Sequence, residues 1–363
     1  MKELPTHKIK LLIFTPTLQC GGSEKFVSSL CNNINTEIFS VYLVVLDNTK
    51  AFYKIKNPAV EMIDLKEQRV LFSLFKLKNV IRNHQPDIIF TTANHLNLYF
   101  AILRRVFPKK IKFVARESSI VSINSRKAKM PALYNWLVKK YYNRFDFIIC
   151  QSTYMQQDLT CNYNISSGKT AVIYNAVDIV LHNTSAVNTT AVKKNKFISV
   201  ARLSEEKGIE RLIHAVGLLS MPFQFYIVGE GNKRNTLQNL INELQLQDKI
   251  FLSGEKEDPF KGMQDADLFL MGSYYEGFPN VLLEAGALGI PIIAFNAPGG
   301  ITEIISAENG VLVDDNDILG FAAAIKLALA TEFNRNRIIE NTQKQFSVKI
   351  IVPQIENLLL HLQ

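Results

Sequence analysis

The chain has 363 residues, of which 47% are hydrophobic and 20% charged, a balance that excludes a disordered or low-complexity protein and is too long for one compact α/β core. Two ordered domains of about 150–200 residues each are expected. Net charge is +8 but unevenly placed: residues 1–175 hold 25 Lys and Arg against 11 Asp and Glu, whereas residues 176–363 hold 16 against 22. No nucleic-acid motif accompanies the basic half, so an anionic membrane surface or an acidic or phosphorylated acceptor is the expected partner and nucleic acid is not.

Short apolar runs recur in chain order at residues 10–14, 41–46, 88–92, 111–115, 147–150 and 171–174, separated by longer amphipathic stretches. This alternation predicts parallel strands joined by right-handed helical crossovers, a Rossmann-like half. A polar stretch at 180–196, rich in Asn, Thr and Ser, is the expected linker. The alternation restarts with strands at 197–201, 223–228, 250–253, 268–271, 292–295 and 310–313, and helices at 206–219 and 233–246. Residues 347–362 are amphipathic and are expected to be helical on either side of a bend at Pro353. The reading is an α/β protein of two doubly wound domains, 1–178 and 190–345, facing a central cleft, with a helix at about 346–363 packing back.

Cys20, Cys31, Cys150 and Cys161 form no CxxC pair and have no histidines at metal-ligand spacing, so neither a zinc site nor a disulfide framework is expected. Residues 11–14 are too short for a secretory leader, and no run approaches the about 18 apolar residues of a membrane span. A cytoplasmic location follows as the expectation. The sequons at Asn183 and Asn188 then read as chance matches in the linker.

The strongest chemical signal runs from Tyr275 to Gly286, directly after a strand: Glu276, Gly277, Phe278, Pro279 and Asn280 lead into Val281, Leu282, Leu283 and Glu284. Gly277 suits a tight turn and Pro279 the first turn of a helix. Eight residues of helix span about 12 Å, the reach from a hexose to the ribose of its nucleotide, and carboxylates accept hydrogen bonds from vicinal diols well. Two exposed helical glutamates would give the same spacing, so the neighbours matter. Arg202 and Lys207 follow the strand at 197–201 and open a helix, which suits a diphosphate; pairing with Glu205 and Glu206 on the surface is the plain alternative. Gly21 and Gly22 follow the first strand and let backbone N–H groups approach a phosphate. His95 ends a strand in the basic half and is a candidate for touching the acceptor, with a satisfied structural histidine the favoured alternative.

Three motifs imitate other sites. Asp265-Ala266-Asp267 and Asp315-Asn316-Asp317 look like metal-binding carboxylate pairs, but the first introduces a strand and the second lies in a loop. Gly229-Glu230-Gly231 lacks the third glycine of a dinucleotide fingerprint. Segments 70–82 and 126–144 mix Leu, Phe, Trp and Tyr with Lys and Arg, as an anionic membrane surface would require; for 70–82 an apolar face buried in the core is an equal reading.

Taken in order, Gly21-Gly22, Asn175-Ala176-Val177-Asp178, Arg202 and Lys207, Gly229-Glu230-Gly231 and the Glu276 to Glu284 motif resemble the retaining glycosyltransferases of family 4, bacterial polysaccharide and lipid-glycan assembly enzymes with the GT-B fold. The resemblance implies that Arg202 and Lys207 bind the donor diphosphate, Glu284 the ribose and Glu276 the transferred sugar. Gly277, Phe278, Pro279, Asn280 and Asn175 would complete the donor site, and Gly21 and Gly22 would supply backbone contacts. It implies retention at the anomeric carbon, no cofactor and no essential metal. The expected substrates are a nucleotide sugar, in form closest to the UDP-sugar users, and a glycan or lipid-linked acceptor, with the enzyme peripheral on the inner face of the cytoplasmic membrane. Relatives carry a histidine after the strand at 111–115; here Arg116 and Glu117 stand in that place. The alternatives are a GT-B isomerase, a phosphorylase, which would need a longer chain, or a silent GT-B partner, which would usually lack Arg202, Lys207 or Glu284.

Overall fold

The structure is a computed structural model that describes residues 7–178, 195–261 and 264–362. The sequons and all but the last two residues of the expected linker lie outside them. The chain divides into two compact units, the first running to Asp178 and resuming at Phe346, the second lying between.

The first unit is built on seven parallel strands: β1 (Ile9–Thr15), β2 (Phe39–Val45), β3 (Val60–Asp64), β4 (Ile88–Thr92), β5 (Lys112–Arg116), β6 (Phe147–Cys150) and β7 (Thr170–Val172). Their order is β3-β2-β1-β4-β5-β6-β7. Leu11 to Phe14 of β1 are wholly buried, as helices on both faces of a parallel sheet require. β3 is the strand that sequence reading missed. It is an edge strand, paired with β2 from Val41↔Val60 to Val45↔Asp64, and only Val60 of its five residues is buried. A strand half in solvent leaves no apolar run to see.

The second unit carries six parallel strands: β8 (Asn195–Val200), β9 (Phe223–Val228), β10 (Ile250–Leu252), β11 (Leu268–Met271), β12 (Ile292–Phe295) and β13 (Gly310–Val313). They lie in the order β10-β9-β8-β11-β12-β13. In each sheet the order reverses once, between β1 and β4 and between β8 and β11, and ligands of open α/β sheets bind at the carboxyl ends of the strands flanking such a reversal. The residues singled out after β1, β8 and β11 therefore stand at the two switch points.

One element differs from expectation. The helix expected at 206–219 is a 3-10 turn, Glu205–Lys207, followed by a helix, Ile209–Gly217. Gly208 separates them at φ +52, and a Cβ there would lie 2.0 Å from the Gly272 carbonyl oxygen. Only glycine lets these two backbones meet. The carboxyl-terminal segment is one helix, Val348–His361, that includes Pro353. The hydrogen bond lost at Pro353 is offset by burial of Val348, Ile351, Val352, Ile355 and Leu359, each worth about 1.5–3 kcal/mol. This helix packs against the helix Gly22–Asn33 inside the first unit.

Candidate active site

In the second unit the chain leaves β8 and turns at Arg202. The turn is pinned by backbone bonds from Leu203 N–H to the Glu230 carbonyl (2.8 Å) and from Lys233 N–H to the Leu203 carbonyl (2.9 Å). Thus Gly229-Glu230-Gly231 braces the turn that carries Arg202. The Arg202 side chain is 72% exposed, and its guanidinium stands 3.9 Å from Glu206, a contact too long and too wet to hold it.

Lys207 behaves differently. Its Nζ donates to Glu276 Oε1 at 2.6 Å, and the two side chains are only 24% and 13% exposed. Ser273 Oγ donates to the same oxygen at 2.7 Å. The expected alternative, Lys207 paired with Glu205 or Glu206, is therefore not what forms; Glu205 lies 3.9 Å from Lys233 instead. A cation from the end of β8 and a carboxylate from the end of β11 meet across the switch point, where low exposure strengthens each charge toward a ligand.

Glu276 is also fixed through its backbone. Its N–H donates to the Pro298 carbonyl and Gly300 N–H donates to the Gly277 carbonyl, both at 2.9 Å, so the loop after β12 is zipped to the loop after β11. The helix Asn280–Ala287 starts one residue after Pro279, which occupies its cap rather than its first turn. Phe278 is buried, as are Leu282, Leu283, Ala285 and Gly286 of the helix. Glu284 stands on the same helix, half buried. Ser273 and the Gly299-Gly300 pair are members of this site that sequence reading did not find.

Gly21, Gly22, His95, Arg116, Glu117 and Asn175 belong to the first unit. Gly21 caps the helix Gly22–Asn33 at φ −173, extended backbone open to any residue, so its worth is the close approach it allows to the first-turn N–H groups. Ser23 Oγ and Thr92 Oγ1, 2.8 Å apart, tie that turn to the end of β4. His95 is exposed in the first turn of the helix Asn94–Leu103, after Ala93 at φ +84, a strained place for a residue with a Cβ.

Arg116 and Glu117 are both completely buried. The Arg116 guanidinium lies 3.5 Å over the Phe26 ring and donates to Asn175 Oδ1, whose own amide nitrogen donates to Gln151 Oε1 at 3.2 Å. Glu117 Oε1 accepts from Asn97 Nδ2 at 2.7 Å, and Asn97 Oδ1 accepts from Thr91 Oγ1 at 2.7 Å. These bonds knit the ends of β4, β5 and β6 together beneath the surface. Burial pushes the Glu117 carboxyl up to about 7, against the bond from Asn97. The unfolded chain sheds this proton near 4.5 while the fold keeps it, so its contribution falls as pH rises from about 4.5 to about 7. Glu117→Gln is expected to gain stability over the parent across that window, by a few kcal/mol on the order of the shift, seen as thermal melting curves that diverge between pH 5 and pH 8. Parallel curves would exclude a titrating Glu117.

The carboxylate look-alikes have structural employment. Asp265 pairs with Lys196 Nζ at 2.6 Å, and the Asp267 side chain accepts from the Lys196 backbone N–H at 2.8 Å, fastening the start of β11 to β8. Asp315 accepts from Arg211 Nη1 at 2.6 Å.

The chain thus has two doubly wound units, one of them with a cation–carboxylate pair at its switch point. Models of Glycosyltransferase Family 4 and of Glycosyl transferases group 1 match residues 20–181 and 182–345. The chain is 31% identical over 320 residues, 85% of its length and 87% of the relative's, to the N-acetylgalactosamine-N,N'-diacetylbacillosaminyl-diphospho-undecaprenol 4-alpha-N-acetylgalactosaminyltransferase of Campylobacter jejuni. The chain belongs to glycosyltransferase family 4. The amylovoran biosynthesis glycosyltransferase AmsD of Erwinia amylovora is 24% identical over 332 residues, covering 89% of this chain and 91% of that protein. Among solved structures, Anabaena HepE in complex with UDP-glucose superposes with a TM-score of 0.79 at 20% identity, over 97% of this chain and 100% of that one.

Proposed function

We propose that the enzyme moves a hexose or N-acetylhexosamine from a UDP-sugar to a glycan or lipid-linked acceptor in surface polysaccharide assembly, with retention and without an essential metal. The observation that carries this reading is the Lys207–Glu276 pair, 2.6 Å long and mostly buried, at the switch point of the second sheet. Lys207 and the exposed Arg202 supply positive charge where a diphosphate leaves, the work a divalent ion does elsewhere. Glu276 grips the sugar and Glu284 the ribose. The bond from the anomeric carbon to the phosphate oxygen breaks as the acceptor oxygen bonds on the same face, and the departing phosphate oxygen takes the acceptor proton. No strong side-chain base is needed.

Titration calorimetry with UDP, GDP and ADP, with and without EDTA, tests the donor half of this reading. UDP should bind best and equally well in EDTA, and Glu284→Ala should weaken it about 10- to 100-fold, the worth of hydrogen bonds to a charged group. Binding to none of the three would overturn the proposal.

One relative points to a lipid-linked acceptor, since the Campylobacter jejuni enzyme is named for an undecaprenol diphosphate substrate. No helix among the described residues is long and apolar enough to cross a membrane, so access would come from the surface. The segment at 70–82 buries Leu77 and Ile81 but leaves Leu71, Phe72 and Phe75 71%, 65% and 78% exposed, beside Arg69, Lys76 and Lys78. On the helix Pro131–Tyr141, Trp136 is 51% exposed with Lys140 4.2 Å over its ring. Apolar side chains set among cations suit the headgroup layer of an anionic bilayer. Co-sedimentation with phosphatidylglycerol-containing vesicles should exceed that with phosphatidylcholine alone and fall with salt; replacing Leu71, Phe72 and Phe75 by Ser should abolish it, and equal binding to both vesicles would refute it.

A further inference from the structure

Arg211 sits in the helix Ile209–Gly217 among Leu212, Ile213, Ala215 and Val216, all buried in the core of the second unit. Its own side chain is 4% exposed. A cation this deep costs several kcal/mol to desolvate, and an aliphatic residue at the same position would pack without that cost. Its bonds show what offsets it. Nε donates to the Gly272 carbonyl at 2.6 Å, Nη2 to the Ser273 carbonyl at 2.5 Å and Nη1 to Asp315 Oδ1 at 2.6 Å. The guanidinium lies between two rings, 4.1 Å from the centre of Tyr274 and 4.0 Å from that of Phe295.

Gly272 and Ser273 are the first residues beyond β11, where the chain leaves the sheet and its carbonyls lose their ladder partners. Three residues later comes Glu276, and Ser273 Oγ donates directly to it. The rest of the loop is held from the same direction: Tyr274 N–H donates to the Glu206 carbonyl at 2.9 Å and Tyr274 Oη to Glu210 Oε1 at 3.0 Å. The planar fork of arginine spans two successive carbonyls and a carboxylate at once, which the single ammonium of lysine does not.

We propose that Arg211 is a positioning residue for glycosyl transfer: it fixes the Gly272 to Glu276 loop, and so the place of the Glu276 carboxylate, without touching substrate. The proposal rests on the reading of Glu276 as the residue that holds the transferred sugar. A carboxylate set loose by a fraction of an ångström loses rate before it loses nucleotide affinity.

The test is a double-mutant cycle on the full chain with Arg211→Lys, Glu276→Gln and both together. The readouts are UDP release from a radiolabelled mixture of UDP-glucose, UDP-galactose, UDP-N-acetylglucosamine and UDP-N-acetylgalactosamine, UDP affinity, and Tm. Arg211→Lys should slow UDP release about 10-fold with UDP affinity within about twofold, and should slow it no further once Glu276 is Gln, while its Tm loss is the same in both backgrounds. An equal fold-loss of rate in both backgrounds, or no loss in the parent, overturns the proposal. Should Arg211→Lys not fold, Asp315→Ala, which strips the ion partner at the half-exposed end of the fork, enters the same cycle with the same criteria. Parent-level rate in Glu276→Gln alone would bring down the reading of Glu276 itself, an outcome visible without any Arg211 variant.

Discussion

Glu276→Gln is expected to cut the saturating rate of sugar transfer by about 100- to 1000-fold while leaving UDP affinity within about threefold of the parent. Gln keeps the length of the side chain and still offers an oxygen to Lys207 Nζ and Ser273 Oγ, which now meet Glu276 Oε1 at 2.6 and 2.7 Å. What it loses is the negative charge. As the anomeric carbon parts from phosphate it becomes electron-poor, and a carboxylate held in a mostly buried pocket is worth more to that state than to the bound ground state. The nucleotide is assigned to Glu284, Arg202 and Lys207, none of which the substitution removes. The check is steady-state kinetics beside calorimetry. An unchanged rate with weakened UDP binding would move Glu276 from the sugar to the nucleotide.

The sheets were legible because their strands are buried on both faces. Runs such as residues 11–14 and 292–295 are continuous in the sequence and buried throughout in the fold. The edge strand β3 was not, since Glu61, Met62, Ile63 and Asp64 are at least partly in solvent and spell no period. Of the site, the parts adjacent in sequence were visible: the residues after β8 and the motif after β11. Bonds between distant segments were not. Lys207 joins Glu276 across 69 residues, and Arg211 joins Asp315 across 104, where periodicity carries no information. Asp315 read as one of a pair of loop carboxylates and Arg211 was not singled out, because a buried cation is recognisable only once its acceptors are placed. The segment at 70–82, open in sequence between a surface and a core reading, buries Leu77 and Ile81 and exposes Leu71. Its amphipathic pattern fits either, and Phe72 and Phe75 are among the most exposed apolar side chains of the first unit.

Gly299→Ala should cripple both folding and turnover although residue 299 carries no chemistry. Gly299 adopts φ +123, a region nearly closed to residues with a Cβ, and a Cβ built there falls 1.5 Å from the Glu276 carbonyl oxygen and 2.7 Å from its carbonyl carbon. Neither atom belongs to a flexible side chain, so the backbone of one loop must move. The bonds at risk are those that zip the two loops, Glu276 N–H to the Pro298 carbonyl and Gly300 N–H to the Gly277 carbonyl, both 2.9 Å. Backbone strain of about 1–3 kcal/mol plus the loss of those bonds at about 1 kcal/mol each gives roughly 3–5 kcal/mol of destabilisation, or a Tm lower by about 10 °C for a unit of this size. Any fraction that stays folded has Glu276 displaced, so its rate per folded molecule should approach that of Glu276→Gln. Scanning calorimetry gives the first quantity, and turnover normalised to active sites titrated with UDP gives the second. A variant that melts and turns over like the parent would mean that the two loops do not hold each other.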